Sequence, residues 1–265
     1  MGIKAPALWY PVWGDSRATF DITFRIPDEY RIVSVGKNVS NETRNNFSVS
    51  RWTSQRPIEQ ASFNFGELKQ LESAVGSVSV LINERAHRKL SELFVANRMG
   101  TEREVEEIVQ RDVQKSVFLF DNWFGKAPFD HLVATEIPYP HGQAFHGLIH
   151  LSFSTFLQNV RQGYDQIFRA HEVAHQWWGI GVGFRTYHDQ WLSEGFSNYS
   201  GLMYLQQSSG DNAKFLRRLR EWKDDVLKNR QFVFGKGQEA GPVWLGYRTE
   251  STSTKDDYDL IIYKK

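Results

Sequence analysis

The sequence has 265 residues, 40% hydrophobic and 24% charged, with 19 Phe, 10 Tyr and 9 Trp. That apolar content builds a packed core and excludes a disordered chain. The 32 basic and 31 acidic residues leave a net charge of +1, and there is no Cys. No overall field therefore favours nucleic acid or an anionic membrane, disulfides and thiolate chemistry are excluded, and any metal must be held by His, Asp or Glu.

Met1-Gly2-Ile3-Lys4 leads into no apolar segment, so no secretory signal is visible. No run reaches the roughly 18 apolar residues that span a bilayer, and the compartment stays open. Residues 17–26 alternate strictly, with Phe20, Ile22, Phe24 and Ile26 on one face, the pattern of a half-buried strand stopped at Pro27-Asp28. Tyr30 to Val35, Phe47 to Trp52 and Ile58 to Phe65 repeat it, predicting an antiparallel β layer through about residue 65. Asn38, Asn41 and Asn46 each begin an Asn-x-Ser/Thr triplet in the turn-rich stretch between. Chance among surface polar residues explains these triplets better than glycosylation.

From Glu84 the period becomes helical, over 84–97 and again after the capping box Thr101-x-x-Glu104, where Val105, Ile108, Val109, Val113, Val117 and Phe120 share a face. Short strands are predicted at 129–137 and 147–153, then helices at about 166–178, 190–208 and 211–229. Tyr258 to Lys265 stops inside an apolar-periodic stretch with no closing Gly, Pro or Asn, which reads as a piece cut from a longer protein.

His171-Glu172-Val-Ala-His175 falls inside the predicted helix Asp165–Trp178. Residues four apart share a helix face, so both imidazoles reach one ion. Zinc accepts imidazole nitrogen and carboxylate oxygen, and its catalytic sites use three protein ligands and keep one position open for water. Glu194 follows His175 after 18 intervening residues, in Trp191-Leu-Ser-Glu-Gly-Phe, and is the candidate third ligand. Glu172, one residue after a ligand, is placed to serve that water as general base.

The stretch HEVAHQWWG from His171 to Gly179, together with WLSEGF from Trp191 to Phe196, resembles the zinc aminopeptidase family of gluzincins, which includes membrane alanyl aminopeptidase and leukotriene-A4 hydrolase. The resemblance implies an α+β fold. Residues 1–65 would be the closing part of an N-terminal β domain, its clearest match at 9–36. Residues 66–265 would be a thermolysin-like catalytic domain, a small mixed sheet plus a helical lobe, truncated at its C-terminal end. It further implies one Zn2+ ion, a peptide substrate, and hydrolysis by a zinc-activated water, with no membrane segment and no nucleic-acid partner in this chain; the oligomeric state stays open.

The family also places a Tyr downstream of the third ligand, in a Tyr-x-Lys-Gly context, where it stabilises the oxyanion. Tyr263, in Tyr263-Lys264-Lys265, is the best match, and Tyr258 the runner-up. One departure bears on specificity. Where the family carries Gly-x-Met-Glu-Asn, whose Glu holds the peptide's α-amino group, this chain has Gly142-Gln143-Ala144-Phe145-His146. Gly142, Gln143, Ala144 and Phe145 are still expected to line the substrate, pairing with its backbone by strand addition. Without the carboxylate, an endopeptidase, another zinc hydrolase or an inactive zinc scaffold stands beside the aminopeptidase reading. Glu136 is a conceivable substitute acid, though nothing in the sequence selects it.

His141, His146 and His150 are expected as solvated or pocket-lining side chains rather than a second metal set. Trp177 and Trp178 are expected to pack against Trp191, and Arg217, Arg218 and Arg220 to form a solvated helix face.

Overall fold

The computed structural model describes residues 9–11, 16–71, 77–85, 102–156 and 163–228, with 231–232, 235–236, 243–244 and 263–264. The alternating runs form the expected strands β1 (Asp21–Pro27), β2 (Arg31–Ser34) and β4 (Phe47–Thr53). Along β1 exposed and half-buried residues alternate without a break. One strand lies where only turns were expected. β3 (Lys37–Arg44) is exposed at every residue and pairs antiparallel with β4 across a hairpin turn at Asn45-Asn46. Both asparagines adopt positive φ, 50° and 63°, the backbone a two-residue turn between twisted strands requires. Ladder hydrogen bonds, rather than a buried face, hold β3, so no hydrophobic period marks it. The expected strand from Ile58 to Phe65 shrinks to an isolated bridge between Ala18 and Ile58 and the short β5 (Phe63–Gly66) against β2.

β6 (Leu68–Gln70) and β7 (Val78–Asn83) open a mixed sheet of order β6-β7-β8-β10-β9, with β8 at Leu132–Ile137, β9 at Gln143–Phe145 and β10 at Leu148–Ser152. β7, β8 and β10 are parallel, while β6 and β9 are antiparallel edges. β7 is buried at five of its six residues, which is why it shows no alternation in sequence. α1 (Glu102–Phe124) carries the chain from β7 to β8, and its Val105, Val109, Val113, Val117 and Phe120 meet Val80, Leu132 and Ile149 in the main core. The expected helix at 84–97 lies outside the described residues beyond Arg85.

α2 (Tyr164–Ala174) packs on the same core, followed by α3 (Gln190–Ser209) and α4 (Asn212–Lys228). α2 ends at Ala174, four residues before the expected Trp178, with His175 as its C-cap. Trp177 leaves the helix to pack on Phe120 and Phe124, while Trp178 meets Phe196, which in turn stacks on Trp191. The expected direct contact of these tryptophans with Trp191 is thus relayed through Phe196. Arg218 also departs from expectation. It is 2% exposed, its guanidinium lies 3.6 Å over the Tyr164 ring, and it pairs with Glu221.

A buried network ties the helices together. Arg169 of α2 donates from Nη2 to Asp112 of α1 at 2.6 Å and from Nη1 to the Thr155 hydroxyl at 2.9 Å, and the Tyr204 hydroxyl of α3 donates to the other Asp112 oxygen at 2.7 Å. A second core joins Val33, Val35, Ile58 and Ala61 of the β layer to Leu81, Phe145 and Leu148 of the mixed sheet. Among the described residues no helix is long and apolar enough to cross a membrane.

Candidate metal centre

α2 delivers His171 and His175 from one face, and α3, the helix most extensively packed against it, delivers Glu194. The Nε2 atoms of the two histidines lie 2.9 Å apart, and Glu194 Oε2 is 3.4 Å from His171 Nε2 and 3.2 Å from His175 Nε2. Ligand atoms about 2.0–2.2 Å from a tetrahedral ion are about 3.3–3.5 Å from one another, so this triangle is close to what zinc requires. Among the described residues it is the one cluster of three or more His, Asp or Glu side chains that converges in this way.

His175 is oriented from behind. Its Nδ1 lies 3.0 Å from the Trp178 carbonyl, with the Ser193 and Ser197 hydroxyls at 3.2 and 3.0 Å. A carbonyl only accepts, so Nδ1 carries a proton, and once the ring gives up its second proton Nε2 would turn its lone pair to the centre. Two buried carboxyls face this spot. Burial pushes the Glu172 carboxyl up to about 8, with His175 opposing and Glu194 reinforcing the shift. Burial acts against the charge of Glu194 too, but the two imidazoles outweigh it and hold that carboxyl below the usual carboxylate range. On His175, burial is outweighed by Glu194, raising the imidazole to about 9, whereas burial and its neighbour lower His171. Paired buried carboxyls demand compensating positive charge. The donor set, its spacing and the Glu172 Oε2 atom, buried without a hydrogen-bond partner, fit a divalent cation in that place.

The centre opens into a cavity of about 290 Å³ lined by Gly142, Gln143, Ala144, Glu172, Glu59 and Tyr263 among others. Glu172 reaches it because residue 142 has no side chain: a Cβ there would overlap the Glu172 carboxyl. Of the expected substrate-lining residues, Gly142, Gln143 and Ala144 face the cavity, with β9 as an open sheet edge. Phe145 turns away into the second core, 7% exposed. Tyr263 lies beside the centre with its ring 5.6 Å from that of His171. Its carbonyl accepts from Asn198 Nδ2 at 2.8 Å, one turn beyond Glu194 on α3, and Lys264 pairs with Asp225 of α4 at 2.9 Å. Tyr258 lies outside the described residues.

Two positioning residues escaped the sequence reading. Gln176, fully buried, accepts from Gly147 N and donates to the Phe145 carbonyl, tying the end of α2 to the β9–β10 hairpin. Asn198 holds Tyr263; in sequence it is only a polar residue on a helix. Glu136 is no part of the cavity. It is 4% exposed, and its Oε2 accepts from Asn83 N at 3.3 Å. Nor do the remaining histidines converge. His141 stacks on Tyr139, His146 lines an adjoining pocket, and His150, expected at a surface or pocket, is buried against Phe145.

Residues 155–265 match the family model described as the Peptidase family M1 domain. Leucine aminopeptidase 2 of Neurospora crassa is 26% identical over 256 residues, 95% of this chain and 35% of that protein. Aminopeptidase O of Mus musculus is 35% identical over 78 residues, 28% of this chain and 9% of its own. The fold is similar to crystal structures of an M1 zinc metallopeptidase from Deinococcus radiodurans, at 18% identity and a TM-score of 0.63 over 93% of this chain and 50% of that one. It is also similar to a mutant of that enzyme bound to a Tyr-Ser-Ala substrate, at 19% identity and a TM-score of 0.61. The chain spans about a third of the length of the first relative and half that of the solved structures.

Proposed function

We propose that this chain carries the catalytic centre of a zinc-dependent, aminopeptidase-like peptidase with a thermolysin-like arrangement, a reading supported by the similarity of residues 155–265 to the Peptidase family M1 domain. The observation that carries the reading is the convergence of His171 Nε2, His175 Nε2 and Glu194 Oε2 beside a buried, unpartnered Glu172. A zinc ion held by those three side chains would supply Lewis acidity and lower the pKa of its water to about 7. Glu172 takes a proton from the water that attacks the scissile carbonyl and delivers it to the leaving amine. The Tyr263 hydroxyl donates to the oxygen on which negative charge develops, and Asn198 fixes the segment bearing it. The edge of β9 at Gln143 and Ala144 pairs with the peptide backbone and holds the scissile bond in register.

Metal analysis joined to peptide hydrolysis tests this. The purified protein is expected to hold near-stoichiometric zinc, to lose it in Glu194→Ala, and to cleave peptides with a free N-terminus. Cleavage of N-acetylated peptides as well would show an endopeptidase, the reading favoured by the absence of a carboxylate from residues 142–146. Zinc without cleavage of either would show a scaffold.

A further inference from the structure

An enzyme that removes the first residue of a peptide must recognise an ammonium group, which calls for a carboxylate within reach of the cavity. Among the described residues, three carboxylates line it: Glu172, Glu194 and Glu59. The first two serve the metal and its water. Glu59 comes from the β layer, between the Ala18–Ile58 bridge and β5, and has no part in the chemistry above.

Glu59 is a built feature. Arg17 donates to it from Nε at 3.3 Å and Nη2 at 2.8 Å, both to the single oxygen Oε1, and Nη2 also reaches the Ile180 carbonyl at 3.4 Å. The pair is thereby fastened to the loop that follows α2. That loop runs close against the pair: a Cβ at Gly183 would come 2.9 Å from Arg17 Nη2 and 3.3 Å from Glu59 Oε1. Neither donation uses Oε2. Glu59 also borders an adjoining pocket lined by Arg17, Arg56 and the Phe145 side of β9. Those guanidiniums repel a further cation there, leaving the metal cavity, which Glu59 also lines, as the place for one.

We propose that Glu59 binds the α-ammonium group of the peptide substrate, its carboxylate set by Arg17 and supplied by the β layer in place of an acid on β9. This rests on the peptidase reading. It makes Glu59 the residue that restricts cleavage to free N-termini, since an acylated nitrogen carries no charge for it to hold.

Calorimetry on the zinc-loaded chain with leucinamide and N-acetyl-leucinamide tests it without requiring turnover. Wild type is expected to bind leucinamide about tenfold more tightly than the acetylated probe. Glu59→Gln is expected to lose that preference with an unchanged melting temperature, and Glu59→Asp, which keeps the charge, to recover part of it. On free peptides Glu59→Gln raises KM about tenfold and leaves kcat within a few-fold. Equal binding of both probes by wild type, or an intact preference in Glu59→Gln, overturns the proposal. So does tighter binding of the acetylated probe by wild type, which would assign the arginine-lined pocket to carbonyl groups. The two readings fail separately. Cleavage of free peptides with KM unmoved in Glu59→Gln removes Glu59 alone. A Glu59-dependent amine preference in a protein that cleaves nothing removes the peptidase reading and leaves Glu59 as an ammonium site.

Discussion

At the scale of single residues the centre depends on two side chains of very different size. Glu172 is buried beside the His171, His175 and Glu194 cluster and is not one of its three converging side chains. Glu172→Gln keeps the shape and removes the basicity, so zinc content is expected to stay at the wild-type level. The value of kcat should fall by about 10²–10⁴, the usual worth of a positioned base; kinetics and metal analysis on one preparation check both. Gly142 acts through what it lacks. Gly142→Ala puts a methyl group where the Glu172 carboxyl lies, and the displaced base is expected to cost at least tenfold in kcat with the metal retained, since about 1 Å of misplacement weakens catalysis sharply. His150 gives a residue-scale pH effect. Burial, with a contribution from His141, depresses its imidazole to about 4, below the 6.5 of an unfolded chain. The unfolded state therefore binds the extra proton between those values. Stability from His150 is complete above about pH 6.5, declines as pH falls toward 4, and is then fully lost. Unfolding free energies of the metal-free chain from pH 7 to 4, compared with His150→Phe, should show the wild type losing about 3 kcal/mol more.

Between elements, the Asp112 network replaces apolar contact where α1, α2 and α3 meet. Arg169 is fully buried, and Asp112 with Thr155 satisfies its guanidinium. Asp112→Ala strands that charge and the Tyr204 hydroxyl together, and should destabilise the fold by about 3–5 kcal/mol in a chemical denaturation curve. The sequence could not announce this pair: Asp112 and Arg169 are 57 positions apart, and either alone reads as a solvated charge. The elements that could be read were those with a face, such as β1 with its alternating phenylalanines and isoleucines and α1 with its valine stripe. β3 has no buried face and β7 is buried on both, so neither carries a period to find. The convergence of the three candidate ligands was legible for a related reason. His171 and His175 are fixed by helix spacing and Glu194 by its motif, whereas Glu59 reaches the cavity only through tertiary packing of the β layer.

Across the whole molecule, the β layer is a structural partner of the sheet that positions the site. Val33, Val35, Ile58 and Ala61 cover Leu81, Phe145 and Leu148, and Asn64 Nδ2 donates to the Glu136 carbonyl in the buried seam at 3.0 Å. Residues 67–265 expressed alone would expose that apolar surface and the β9–β10 hairpin behind the cavity. Such a chain is expected to aggregate, or to melt at least 10 °C below the 265-residue chain by circular dichroism; equal melting would show that the layer adds nothing to the sheet.

α3 presents Glu194, the Ser193 and Ser197 hydroxyls behind His175, and the Asn198 amide that grips the Tyr263 carbonyl, all within six consecutive positions. A roll of that one cylinder about its axis would withdraw Glu194 from the two histidines, the hydroxyls from behind His175 and the amide from the Tyr263 carbonyl in the same motion. The machinery has a single point of tension, so its parts stand or fall in unison instead of wearing out one by one.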